Sequence, residues 1–153
     1  MALKINIHKL NTNPDIIPPE YSAALDLKNQ WEQELHDVDG EIDMLTSVRY
    51  PGGTTADIDI LVFLDLSNYG ISLPNGAEVD ICKVALILEV KDHPVYKIRK
   101  QGLSYEVQYS SGFKNASSQS FDQMNDLRNY ITSTWSCNNA PFIYNFLWFR
   151  NIQ

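Results

Sequence analysis

The sequence predicts an α/β fold with a central mixed sheet of four to six strands flanked by helices, and three patterns carry that prediction. Residues 58–66 and 84–90 form two almost unbroken apolar runs, the mark of strands covered on both faces. Ala24, Leu27, Trp31, Leu35 and Val38 recur at three- and four-residue steps before them, and Phe121, Met124, Leu127 and Ile131 do so after them. That spacing is the period of one helix face. A last apolar run over 142–149 closes the order helix, three or four strands, helix, strand.

Each element has its own local signals. Residues 4–10 alternate Ile5, Ile7 and Leu10 with polar residues until Asn13-Pro14 interrupts, which fits an edge strand or arm. Pro18-Pro19 precedes a helix over about 20–38 that Asp39-Gly40 stops. A short alternating strand over 44–49 leads into the turn Pro51-Gly52-Gly53. The run over 58–66 is the central strand. Asn68-Tyr69-Gly70 and Pro74-Asn75-Gly76 punctuate a polar hairpin, after which the buried strand over 84–90 ends before Pro94. Leu103, Tyr105, Val107 and Tyr109 alternate as a half-exposed strand, and the second helix spans about 117–133.

Length and charge narrow the function classes. A chain of 153 residues is read as one domain, 1–153. With 44% hydrophobic and 20% charged residues it is too apolar for disorder and too mixed for a coiled coil. The net charge of −7 opposes the indiscriminate phosphate binding of a basic coat protein, so any nucleic-acid contact must be local. The N-terminus has no apolar signal core and no run reaches membrane-spanning length, so the reading is cytoplasmic with no membrane contact. Cys82 and Cys137 are read as two buried thiols rather than a disulfide framework.

Two acids stand inside apolar strands: Asp59 in Asp57-Ile58-Asp59-Ile60, and Glu89 in Leu88-Glu89-Val90-Lys91. A carboxylate on a covered sheet costs several kcal/mol unless paired, hydrogen-bonded or metal-bound. Lys91 follows Glu89 by two residues and therefore shares its strand face. If the two strands are neighbours, Asp59 and Glu89 meet at one end of the sheet, and two charges about 4 Å apart repel by roughly 4 kcal/mol at an effective dielectric near 20. A divalent cation would remove that repulsion. Oxygen ligation favours Mg²⁺ or Mn²⁺, leaving Lys91 to orient or deprotonate a water beside a phosphate. The alternative is structural ion pairing of these acids with Lys91 or Arg49. Asp57 is read as an exposed residue rather than a ligand, and His93 is within reach of the site.

Asp59 followed thirty residues later by Glu89-Val90-Lys91 resembles the acid and Glu-x-Lys signature of the restriction-endonuclease-like, or PD-(D/E)XK, nucleases. Within that superfamily the likeness is to the nuclease-related domain, NERD, on Gly52-Gly53, Asp57-Ile58-Asp59, Glu89-Val90-Lys91 and Gln123, followed by the strand over 142–149. The resemblance implies a restriction-endonuclease-like fold and a metal-dependent nuclease that hydrolyses phosphodiester bonds of DNA or RNA. Asp59 and Glu89 would bind Mg²⁺ or Mn²⁺, Lys91 would be catalytic and Gln123 would help hold the site. The family often carries a Glu on its first helix; Glu20, Asp26 and Glu32 are the candidates, with Glu20 preferred because it stands just before the apolar period begins. It also implies that the chain could be the N-terminal part of a longer helicase-like or ATPase-bearing protein.

Charge distribution bears on the partner. Residues 83–114 hold six cationic side chains against three acids, whereas residues 15–43 hold nine acids and one Lys. Lys97, Arg99 and Lys100 could grip a nucleic-acid backbone, DNA before RNA, or be a solvated loop. Trp31, Trp135 and Trp148 read as core aromatics rather than base-stacking platforms. A nucleic-acid or protein binding module without turnover is the second functional reading.

Overall fold

The apolar run beginning at Ile58 becomes the middle strand of a five-stranded mixed sheet. The computed structural model describes residues 3–10, 18–49, 58–67, 70–72, 74–80, 83–134 and 142–150. In chain order these form β1 (Leu3–Lys9), α1 (Pro19–Glu34), β2 (Asp39–Val48), β3 (Ile58–Ser67), the short strands β4 (Gly70–Ser72) and β5 (Glu78–Asp80), and β6 (Val84–Lys91). A single 3-10 turn at Val95–Lys97 leads to β7 (Ile98–Gln101), β8 (Ser104–Tyr109) and β9 (Gly112–Asn115), then α2 (Ala116–Thr134) and β10 (Phe142–Phe149).

The sheet order is β1-β2-β3-β6-β10. β3 is antiparallel to both β2 and β6, while β1 is parallel to β2 and β10 is parallel to β6. Parallel neighbours need long crossovers, and the two helices lie in those connections. α1 covers one face: Ala23, Ala24 and Leu27 pack with Ile5, Ile42, Met44, Ile60, Val62 and Leu88. α2 covers the other, where Met124, Leu127 and Ile131 meet Leu61, Ala85, Ile87 and Ile143. Trp31 and Trp148 both pack against the α1-side cluster, in keeping with their reading as core aromatics.

Two features fix the sheet at its ends. Gly40 has φ +140°, and a Cβ there would overlap the carbonyl oxygen of Asp65 across the β2–β3 ladder, so the strands can approach only over glycine. Ser47 has φ +57°, left-handed for a residue with a side chain, and the β2–β3 register skips it between Thr46↔Ile60 and Val48↔Ile58. Thr46 and Val48 are both buried on either side of this irregularity, which lies opposite Asp59.

Two boundaries and one sheet depart most from what the pattern predicts. The first helix ends at Glu34 rather than 38, because Leu35 takes a non-helical C-cap conformation and the Val38 N–H bonds the Leu35 carbonyl in a turn. Asp39-Gly40 then opens β2, which begins five residues before the predicted start at 44. The half-exposed strand over 103–109 is the centre of a separate antiparallel sheet, β7-β8-β9, whose outer strands the pattern did not predict. Among the described residues no helix is long and apolar enough to cross a membrane. Gly52, Gly53, Asp57, Cys82, Trp135 and Cys137 lie outside the described residues.

Candidate active site

The β3–β6 ladder has Ile60↔Leu88 as its last registered pair on this side, and the chemistry begins one residue beyond it. There the Val90 N–H donates to Asp59 Oδ2 at 2.8 Å, so a side-chain carboxyl accepts where the ladder would otherwise continue. β6 supplies the rest by alternation. Ala85 and Ile87 face the α2 cluster, and Glu89 and Lys91 follow at two-residue steps on the same face. Both are buried, at 4% and 6% exposure, low enough that neither charge is solvated in the ordinary way. Lys91 Nζ donates to Glu89 Oε1 at 3.0 Å and to the Tyr109 hydroxyl at 3.0 Å. Glu89 Oε2 is buried and accepts no hydrogen bond.

This grouping raises the proton affinity of acid and base alike, for different reasons. Burial, then the charge of Glu89, pushes the Asp59 carboxyl from 3.8 up to about 7; the Val90 N–H and Lys91 pull it down, and Glu20 adds to the rise. Burial alone would lower the Lys91 ammonium, but the hydrogen bond to Tyr109 and the charge of Glu89 outweigh it and raise its pKa. Lys91 is therefore a held cation at neutral pH. The buried pair is a poor source of net stability, yet removing one partner strands the other charge.

The three first-helix acids separate cleanly. Asp26 accepts an ion pair from Arg150, and Glu32 is exposed and pairs with Lys28 at 3.8 Å. Glu20, in the first turn of α1, is the one whose charge bears on Asp59. Gln123 is wholly buried on α2, the helix that packs against Ala85 and Ile87 of β6.

The basic residues expected to grip phosphate divide. Lys97 lies in the 3-10 turn and Lys100 on exposed β7. Arg99 is engaged within the small sheet: its Nε donates to Glu106 Oε1 at 3.0 Å, and its guanidinium sits 3.8 Å from the Phe113 ring centroid. Arg99 and Glu106 are cross-strand partners, so the register itself neutralises this charge.

Sequence reasoning missed Tyr109, whose contact with Lys91 crosses from a second sheet. Around its ring stand His93, edge-on with centroids 5.0 Å apart, and Lys114 Nζ, 5.5 Å from the centroid. Burial, then the charges of Lys91 and Lys97, lowers the His93 pKa, which keeps the imidazole neutral at pH 7. Its Nδ1 is buried without a hydrogen-bond partner.

The donor set fits a hard divalent cation. A buried carboxylate oxygen without a donor lies beside a second carboxyl that resists ionising because of burial and its anionic neighbours, and a cation answers both. Among the described residues no group of three or more His, Cys, Asp or Glu side chains stands ready to hold a metal. Mg²⁺ commonly takes only one or two carboxylates and completes its shell with water and phosphate oxygens. No family model, curated protein or solved structure matches the chain.

Proposed function

We propose that the chain is a Mg²⁺- or Mn²⁺-dependent phosphodiesterase of the nuclease-related, restriction-endonuclease-like kind, acting on DNA before RNA. One observation carries the reading: where β3 begins and β6 ends, Asp59 accepts the Val90 N–H, Lys91 Nζ pairs with Glu89, and burial together with the charge of Glu89 raises the Asp59 carboxyl to about 7. Such strongly perturbed acids mark functional sites more often than ordinary surface pairs do. The chain order supports it, since α1, the Asp59 strand, the Glu-Val-Lys strand, the Gln123 helix and a closing strand follow one another as the resemblance implies.

Asp59 and Glu89 would hold the cation, which when bound would supply Lewis-acid polarisation of a phosphate and a lowered pKa for water. Lys91 acts as an ammonium: it places a fixed positive charge beside the developing phosphate charge and orients an attacking water through its remaining donor. Its raised pKa speaks against removing that water's proton itself. Glu20 tunes Asp59 electrostatically, and Gln123 supports the α2 side of β6. Lys97 and Lys100 are the backbone-phosphate contacts, whereas Arg99 holds the small sheet together.

Plasmid, single-stranded DNA and RNA are incubated with Mg²⁺, Mn²⁺ or EDTA, beside Asp59→Ala and Lys91→Ala. Metal-dependent cleavage that falls at least about 100-fold in both variants is the expected result. Equal activity in parent and variants would remove the proposed roles. Oligonucleotide binding with no Mn²⁺ uptake by the folded protein in calorimetry would instead give a module without turnover.

A further inference from the structure

β8 belongs to the small sheet β7-β8-β9 and forms no ladder with the main one, yet its last residue reaches the centre of the candidate site. We propose that Tyr109 is the positioning residue for Lys91, its hydroxyl fixing the ammonium from a second sheet; this rests on the phosphodiesterase reading.

An ammonium has three donors and no acceptor. Glu89 Oε1 and the Tyr109 hydroxyl take two of them at 3.0 Å each, which leaves one to point toward a water or phosphate oxygen. Two acceptors on separate elements fix a direction that one cannot: with Glu89 alone, the flexible four-carbon stem of Lys91 could rotate its charge about a single contact. Tyr109 is suited to the task because its ring is itself located, edge-on to His93 at 5.0 Å, with Lys91 and Lys114 Nζ at 5.7 and 5.5 Å from its centroid. A tyrosine brings that rigidity with only two side-chain torsions to freeze. The small sheet thereby gains a part in turnover besides its basic rim, and the hydrogen bond spans eighteen residues of sequence that no local motif connects.

Tyr109→Phe removes the hydroxyl and keeps the ring against His93. Activity on single-stranded and plasmid DNA with Mg²⁺ is expected to show kcat reduced about 10- to 100-fold with KM unchanged, the usual scale for a lost hydrogen bond to a charged group. Reductive methylation of Lys91, read by peptide mass spectrometry without metal, is expected to quicken several-fold in the variant while Lys100 and Lys114 label as before. Unchanged kcat together with unchanged Lys91 labelling would overturn the proposal, and so would a rise in KM alone. A parent that cleaves no nucleic acid removes the phosphodiesterase reading and leaves the labelling to decide whether Tyr109 holds the ammonium. Should Tyr109→Phe lose its circular dichroism, nitrogen-15 spectra of the parent decide: a protected, slowly exchanging Lys91 ammonium supports the contact, and a rapidly exchanging one refutes it.

Discussion

Replacing Asp59 by asparagine should stabilise the metal-free protein, increasingly so as pH rises. The carboxyl titrates near 3.8 when unfolded and at about 7 when folded, so the folded state binds the extra proton. Stability from this group is fully present below pH 3.8 and is lost progressively as pH climbs toward 7. At about 1.4 kcal/mol per unit the whole loss amounts to ~4 kcal/mol, of which ~3 kcal/mol falls between about pH 5 and pH 8. The introduced amide would keep an oxygen to accept the Val90 N–H and would carry no charge for Glu89 and Glu20 to oppose. Urea unfolding in EDTA at intervals from about pH 5 to pH 8 measures the gap between variant and parent, which should open by ~3 kcal/mol over that span. A gap that stays constant, or closes as pH rises, refutes the claim that burial and anionic neighbours hold this proton. Mg²⁺ at about 100 times its Kd should return ~3 kcal/mol to the parent and much less to the variant.

Other perturbations test separate parts of the structure. Lys91→Met leaves Glu89 as a buried charge without its cation and should cost ~3–5 kcal/mol in urea unfolding at neutral pH. Lys97→Ala with Lys100→Ala should reduce the salt slope of duplex DNA binding by about two in fluorescence anisotropy, while Arg99→Ala, whose charge Glu106 already meets, should change it by less than about one. Gly40→Ala forces a Cβ into the Asp65 carbonyl at a left-handed φ and should lower the thermal midpoint by several degrees, beyond what an exposed Gly→Ala change elsewhere produces.

The parts of the site that were legible in the sequence are those where a local pattern is broken by chemistry. Asp59 and Glu89 stand out because apolar strands have no packing use for a carboxylate, and the two-residue step from Glu89 to Lys91 fixes a common face without any knowledge of tertiary structure. The five-stranded sheet was legible for a related reason, since its central strands are long and nearly all apolar. The small sheet was not. Ile98–Gln101 and Gly112–Asn115 are four residues each and mostly polar, too short for alternation to register. With it went Tyr109, whose value lies in a long-range contact, and the quenching of Arg99, which depends on a cross-strand register. Leu35 and Val38 continued the helical spacing past the helix end because both are needed where the chain turns back toward β2.

The mixed pairing of the main sheet has a kinetic corollary. Its three inner strands form antiparallel contacts in sequence order, whereas the parallel outer strands are closed only by joining chain segments across a whole helix. Nearby pairings close faster than distant ones. The residues proposed for hydrolysis would then be gathered early, with Phe142–Phe149 docking last, and pulsed hydrogen exchange during refolding should protect the amides of Ile60–Leu64 before those of Ile143–Leu147.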